Sequence, residues 1–232
     1  MNITTIGFDA DDTLWHNERF YVLTQERFAD LLADYTDRAS LDARLQAAER
    51  RNIGHYGYGI KGFVLSMIET AVDVTDARVP AAVIRRILEI GQEMLRHPIE
   101  LLPDAHKTVA AMAASRHRLV LITKGDLLDQ ERKLAESGLW EYFDAVEIVS
   151  EKSAAVYRRI FNRHGDGPER AMMVGNSMKS DVLPAIEAGA WAVHVPFELV
   201  WALESAPAPT GHERYRVLDG LGGLKALVDW IG

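Results

Sequence analysis

Ile3-Thr4-Thr5-Ile6-Gly7-Phe8-Asp9-Ala10-Asp11-Asp12-Thr13 is the stretch that decides the fold. Residues 3–8 form a short apolar-rich run that ends abruptly in carboxylates, which predicts a buried strand delivering acidic side chains to a loop. The same design recurs downstream. Residues 119–122 end in Thr123-Lys124-Gly125, residues 171–174 end in Gly175-Asn176-Ser177, and residues 191–195 end at Pro196. Helical patterns lie between them: 127–137 closed by Gly138, 153–164 closed by Gly165, and a shorter one at 181–188 closed by Gly189. Strands alternating with helices of this length predict an α/β fold, a parallel sheet with right-handed crossovers and helices on both faces. Ligands bind such sheets outside the carboxyl ends of the strands, and each polar cluster falls at that end of its strand.

From about residue 17 to residue 97 the alternation stops and the pattern is wholly helical. Phe20, Leu23, Phe28, Leu31, Leu32 and Tyr35 form a helical stripe; a second helix is expected to enter at Ser40, with others over 63–71 and 83–94. The glycine- and tyrosine-rich segment 54–59 is expected to be a turn or loop, because its glycines disfavour a helix interior. The expected organisation is a catalytic core of residues 1–16 and 98–232, with an all-helical insertion of residues 17–97 after the first strand. A loop around 205–209 leads to a last strand at 215–218 and a terminal helix through Trp230.

With 48% hydrophobic and 26% charged residues over 232 positions, the composition is that of a globular protein able to bury a core. Cysteine is absent, so disulfides, thiolate metal sites and thiol nucleophiles are excluded together. The formal charge of -8 argues against nonspecific binding to nucleic acid or an anionic membrane. The chain reaches its first carboxylates before any signal-like apolar stretch, and the expectation is a soluble cytoplasmic protein. The histidines, His55 and His194 among them, show no metal-ligand spacing. Trp191, Trp201 and Trp230 read as packing residues, and residues 54–62 lack the spacing and the preceding strand of a nucleotide-binding loop.

Asp9 and Asp11, separated by one residue in a loop, can face one ligand, the first as nucleophile and the second as acid and base. Taken alone, the same spacing also suits turn hydrogen bonds or a structural cation site. The remaining motifs narrow the choice. Asp9-Ala10-Asp11-Asp12-Thr13, then Thr123, then Lys152, then Gly175-Asn176-Ser177-Met178-Lys179-Ser180-Asp181 resemble, in order, the four motifs of the haloacid-dehalogenase-like hydrolases, and the likeness spans essentially the whole chain. This resemblance implies a Rossmann-like core with a helical cap of the family's class one. It also implies a cytoplasmic, magnesium-dependent phosphohydrolase that cleaves a small-molecule phosphate monoester through an aspartyl phosphate.

Carried over position by position, the family pattern makes Asp9 the nucleophile and a magnesium ligand. Asp11 becomes the acid/base, ligating the ion through its backbone carbonyl. Thr123, with backbone groups of Lys124 and Gly125, would hold the phosphoryl oxygens, Lys152 would neutralise charge on nucleophile and phosphate, and Asn176 and Asp181 would complete the cation site. The chemistry requires such cations, because a phosphoryl dianion approaching several carboxylates is otherwise repelled, and oxygen ligands suit a hard ion. Asp12 and Thr13 are expected to brace the first loop.

Three positions depart from the commonest family pattern: Asn176 replaces aspartate, Lys124 replaces asparagine, and Ser153 replaces proline. The loss of a charged ligand at 176 should weaken the ion, and Lys124 is expected to add a compensating positive charge beside the phosphate. Because Asp11 is kept, the resemblance points to the phosphatase branch rather than to dehalogenases or phosphonate-cleaving members, and Lys61 is not read as a Schiff-base lysine. A sugar-phosphate mutase and a weakly catalytic phosphate-binding module are the alternatives. Within the helical insertion, His55, Tyr56, Tyr58 and Lys61, on an expected loop 52–61, are the candidates for choosing among small phosphorylated metabolites.

Overall fold

The computed structural model describes residues 2–232. Six parallel strands form one sheet in the order β3-β2-β1-β4-β5-β6: β1 is Thr5–Phe8, β2 Arg118–Lys124, β3 Ala145–Val149, β4 Ala171–Gly175, β5 Trp191–His194 and β6 Tyr215–Val217. β1 is central and buried along its whole length, as a strand covered on both faces must be. Along β2, Leu119 and Leu121 face one layer, shared with Phe8, Trp15, Val109 and Leu224, whereas Val120 and Ile122 face the other, shared with Tyr157, Phe161 and Met173. This two-residue alternation divides one hydrophobic strand between two cores.

The chain separates into two compact units. Among the described residues, one comprises 2–18, 99–124 and 130–232; the other comprises 19–98 and 125–129. The first holds the sheet, together with helices α5 (Ala105–Ala113), α7 (Ala154–His164), α8 (Leu183–Ala188) and α9 (Leu224–Ile231), while α6 (Leu127–Glu136) begins in one unit and ends in the other. The second unit holds α1 (Glu18–Leu31), α2 (Arg38–Tyr56), α3 (Ile60–Val74) and α4 (Ala81–Leu95), around Phe28, Leu45, Phe63, Met67 and Ile87. Among the described residues, no helix is long and apolar enough to cross a membrane.

Several expectations need correction. β3 went unrecognised in the sequence: it is an edge strand, half-buried along most of its length, with Glu147 breaking its apolar run. α2 starts at Arg38 rather than at Ser40, because the Asp37 side chain accepts from the Ser40 backbone N–H (3.0 Å) and caps the helix two residues earlier. α2 also continues through Gly54, His55 and Tyr56, so 54–59 is not a loop. Asn52 Nδ2 donates to Ser66 Oγ (3.1 Å) and to Glu69 Oε2 (2.6 Å), and Arg51 pairs with Glu69 (2.6 Å); this pairing to α3 outweighs the roughly 1 kcal/mol that one helical glycine costs. Only 57–59 remain non-helical, and Gly57 ends α2 at φ 73°, a conformation in which a side chain is strained.

In the first stripe Leu23 (54% exposed) and Tyr35 (44% exposed) face outward. The buried row is Thr24, Phe28 and Leu32, at spacings of four, so Leu23 lies off the row and Tyr35 lies beyond the end of α1. Trp230 is exposed rather than packed in the core, and the Arg216 guanidinium lies 5.0 Å from the Trp191 ring and 5.1 Å from the Trp230 ring.

Glu49, on α2, is buried, and burial pushes its carboxyl up to about 7. A carboxyl raised in the folded state contributes stability below its unfolded value near 4.5 that is lost as pH rises through about 7. Glu49→Gln is therefore expected to be more stable than the parent chain at pH 8, by on the order of 2 kcal/mol, and to lose that advantage near pH 4.5. Urea denaturation at both pH values measures this, and an equal difference at the two would rule it out.

Candidate active site

The parallel ladder sets the site, because neighbouring strands end at one edge. Phe8 is in register with Leu121 on one side and Val174 on the other, and the Asp9 N–H donates to Val174 O (2.9 Å), so Asp9 leaves the sheet where β4 approaches its own end. Lys152 lies just beyond β3, and Ser153 caps α7 by accepting from the Val156 N–H (3.3 Å). The Lys152 ammonium donates to Asp9 Oδ1 in a short hydrogen bond and to Asp181 Oδ1 at 2.7 Å. All three side chains are buried. Burial opposes the charge on Lys152, but the Asp181 and Asp9 carboxylates outweigh it and hold the ammonium above its ordinary value. Asp9 moves up to about 7, first from burial and next from Asp181, with Lys152 opposing both. Two carboxylates thus share one cation, leaving an excess negative charge under cover.

Asp181 reaches this position through a widened helical turn, Met178–Val182, which intervenes between β4 and α8. Single turns of this kind recur at functional sites. The Ser177 N–H donates to Asp181 Oδ2 (2.9 Å), and a Cβ placed on Gly175 would lie 2.3 Å from that same oxygen. Only glycine therefore lets the end of β4 approach the carboxylate so closely. Asn176 is tied to the first loop: its N–H donates to Thr13 Oγ1 (3.0 Å), and Thr13 Oγ1 lies 3.0 Å from Asp9 Oδ2 and 3.3 Å from Asn176 Oδ1. The hydroxyl has one proton, and the nearer acceptor is Asp9. His194 Nε2 lies 3.0 Å from the Asn176 carbonyl, and burial lowers the imidazole, which donates there as the neutral ring.

Asp11 has different company. Its carboxylate accepts from Trp15 Nε1 (2.7 Å), Gln130 Nε2 (2.8 Å) and Lys133 Nζ (2.9 Å), and Lys133 also donates to Asn17 Oδ1 (2.8 Å). Sequence reasoning did not find Trp15, Gln130 or Lys133. Their signal was weak but present: Trp15 follows Asp11 by four residues, and Gln130 and Lys133 are three apart on one face of α6. Asp12, at φ 59°, accepts from the N–H groups of Asn17 (2.8 Å) and Glu18 (2.9 Å), bracing the start of α1, and burial pushes its carboxyl to about 7.

Thr123 is buried at the end of β2, where its hydroxyl donates to the Lys124 carbonyl (3.3 Å) within its own loop. The Lys124 ammonium, expected to add positive charge beside the phosphate, is paired with Glu204 Oε1 at 2.7 Å. Gly125 follows at φ 138°. In the helical unit, His55 and Tyr56 occupy the last turn of α2, Tyr58 the connection to α3, and Lys61 the first turn of α3, where it pairs with Asp126 (2.9 Å). The structure thus joins Asp9, Lys152, Asp181, Thr13 and Asn176 in one network and seats Asp11 on a second set of donors.

Among the described residues, no group of three or more His, Cys, Asp or Glu side chains is gathered as a metal cluster. The oxygens beside the excess charge are two carboxylates and one amide, a hard donor set that fits magnesium.

Comparison with known proteins agrees with this architecture. The family model described as haloacid dehalogenase-like hydrolase matches residues 3–189. The solved structure of a haloacid dehalogenase-like family hydrolase from Xanthomonas campestris is 40% identical, covers 99% of this chain and 91% of its own, and superimposes with a TM-score of 0.88. The chain belongs to the haloacid dehalogenase-like hydrolases. Glyceraldehyde 3-phosphate phosphatase of Methanothermobacter thermautotrophicus is 30% identical over 131 residues, 54% of this chain and 58% of that protein. Human N-acylneuraminate-9-phosphatase is 30% identical over 98 residues, 40% of each. The matches therefore span less than two thirds of these curated relatives.

Removing the Lys152 charge should expose how strongly the buried network is coupled. Lys152→Met is expected to cost about 3 kcal/mol at neutral pH, since it leaves two buried carboxylates facing each other. Adding Asp9→Asn restores the original net charge and should recover much of the loss. Urea denaturation of both singles and the double measures the coupling; simple additivity would show that the charges act independently.

Proposed function

We propose that the chain is a magnesium-dependent phosphatase that cleaves a small phosphate monoester through an aspartyl phosphate on Asp9. The observation that carries this reading is the Lys152 ammonium bonded to the Asp9 carboxylate at the end of the central strand, with Asp11 held nearby in sequence by its own donors. An Asp9 carboxylate oxygen attacks phosphorus, and the bond from phosphorus to the ester oxygen breaks. Asp11 gives its proton to the departing alkoxide. Asp11 then takes a proton from water as the water oxygen attacks the acyl phosphate; the bond from phosphorus to the Asp9 oxygen breaks, returning the carboxylate and releasing inorganic phosphate. Thr123, the backbone at Lys124 and Gly125, and Lys152 hold the phosphoryl oxygens. Trp15, Gln130 and Lys133 keep Asp11 oriented.

Asp9, the Asp11 carbonyl, Asn176 and Asp181 would hold magnesium, which when bound offsets the negative charge of the phosphoryl group and of these carboxylates. The excess buried charge around Asp9 supports this assignment. The curated relatives are named as phosphatases of glyceraldehyde 3-phosphate and of N-acylneuraminate 9-phosphate, which supports a small phosphorylated metabolite as substrate here. Residues that grip the phosphoryl group cannot distinguish one alcohol from another. We assign that choice to the inserted helical unit as a cap, with His55, Tyr56, Tyr58 and Lys61 as its candidates.

Asp9→Asn is expected to abolish phosphate release with the fold intact, because an amide is not a competent nucleophile. Asp11→Asn should slow alkyl esters more than esters of acidic phenols, whose leaving groups need little protonation. Single-turnover phosphorylation with both ester types checks this, and equal losses would falsify the acid role. A screen of sugar phosphates, nucleotides and small organic phosphates with and without magnesium tests the reading as a whole.

Asn176→Asp is expected to tighten magnesium, by restoring a charged oxygen where the chain has a neutral one. Titrating magnesium against activity in both proteins measures it. Unchanged or weaker apparent affinity would remove Asn176 from the cation site.

A further inference from the structure

We infer that Glu204 is a positioning residue of the active site, locking the loop after β2 to the turn after β4. Glu204 ends a short helical turn, Ala202–Glu204, in the connection from β5 to β6, remote in sequence from all four motifs. Its Oε1 accepts from Lys124 Nζ (2.7 Å), and its Oε2 accepts from Ser177 Oγ (2.6 Å) and, through a short bond, from Ser180 Oγ. Lys124 Nζ also donates to Ser180 Oγ (2.8 Å), which closes the ring. The proton count is consistent: Ser180 Oγ receives from Lys124 and gives to Glu204, while Ser177 Oγ receives from the Ser180 N–H (2.9 Å) and gives to Glu204. Lys124 and Glu204 side chains are only 10% and 16% exposed, so the pair is sheltered from the solvent that makes surface pairs weak.

The clamp touches the reacting groups one bond away. Lys124 adjoins Thr123, and Ser177 holds Asp181 Oδ2 through its backbone N–H (2.9 Å) while its hydroxyl holds Glu204. A shift of Glu204 therefore moves both the phosphoryl-binding loop and the carboxylate that shares Lys152. Pairing with Glu204 also cancels the charge of Lys124, leaving the Lys152 ammonium as the cation bonded directly to the nucleophile. The role is geometric, and it appears as a change in the rate of the chemical step more than in ground-state binding.

The inference rests on the phosphatase reading, and the test separates the two. Full-length parent, Glu204→Gln, Lys124→Met and the double variant are compared for kcat and KM on an aryl phosphate with magnesium. Each single change is expected to lower kcat between about tenfold and a hundredfold with KM nearly unchanged, and the double to be no worse than the poorer single. Losses that multiply, losses confined to KM, or an unchanged kcat in Glu204→Gln would overturn it. Amide hydrogen exchange needs no turnover: Glu204→Gln should speed exchange at 176–181 while β1 stays protected, and unchanged exchange there overturns the clamp. A parent protein that releases phosphate from neither the aryl ester nor any of the screened phosphates refutes the phosphatase reading instead, and the exchange result then decides the clamp alone.

Discussion

The site depends on one buried ammonium held between two buried carboxylates. Lys152 comes from the loop after β3, Asp9 from the loop after β1 and Asp181 from the turn after β4, so the three charges fix the ends of three strands relative to one another. Such a trio is costly to desolvate, and well-packed apolar residues in its place would serve stability as well or better. A parallel sheet makes the arrangement affordable in geometry, since its strands end together and each loop needs to reach only a short way. The excess negative charge that remains is the feature a divalent cation would resolve.

The two motif carboxylates sit two residues apart and live in unlike surroundings. Asp9 is enclosed with another carboxylate, and its ionised form is disfavoured by burial and by Asp181. The Asp11 carboxylate is held by three donors: an indole, an amide and an ammonium. Pairs of titratable groups placed in contrasting environments are the usual way one site supports two roles. The turn that follows Asp11 accompanies the divergence. Asp12 occupies φ 59° and spends its side chain on the backbone of Asn17 and Glu18, so the chain reverses and Asp11 is aimed at α6 rather than at Lys152.

Much of this was legible in the sequence, and for identifiable reasons. Central strands such as β1 and β4 are buried on both faces and end in abrupt polar clusters, so an apolar run followed by Asp9 or by Gly175 gives both strand and site. β3 ends in a polar cluster too but lacks the burial: it lies at an edge, and Glu147 interrupts it to pair with His164 (2.6 Å). The continuation of α2 through Gly54 could not be read locally, because what sustains it is Asn52 and Arg51 binding Ser66 and Glu69 on the next helix. Contacts that span long separations in the chain, such as Lys133 with Asp11 or Glu204 with Lys124, leave no periodic trace. Lys124 shows the consequence most plainly. Its charge was visible in the sequence, but whether that charge is available depends on a glutamate eighty positions away.

Asn176 gains a second meaning from the same electrostatics. Its side-chain oxygen and Asp9 Oδ2 flank a single hydroxyl, that of Thr13, which has one proton to give. An aspartate at 176 would put a second carboxylate on the Thr13 hydroxyl beside Asp9 and deprive Asp9 of some of what keeps it ionised, in the absence of a cation. The amide avoids that repulsion and leaves the Thr13 proton to Asp9. If the site holds magnesium as proposed, this comes at the loss of a charged oxygen that would hold the ion more firmly. In the proposed reading, the departure from the common family residue is a trade between the resting charge on Asp9 and the grip on a cation, and both sides of it converge on the hydroxyl of Thr13.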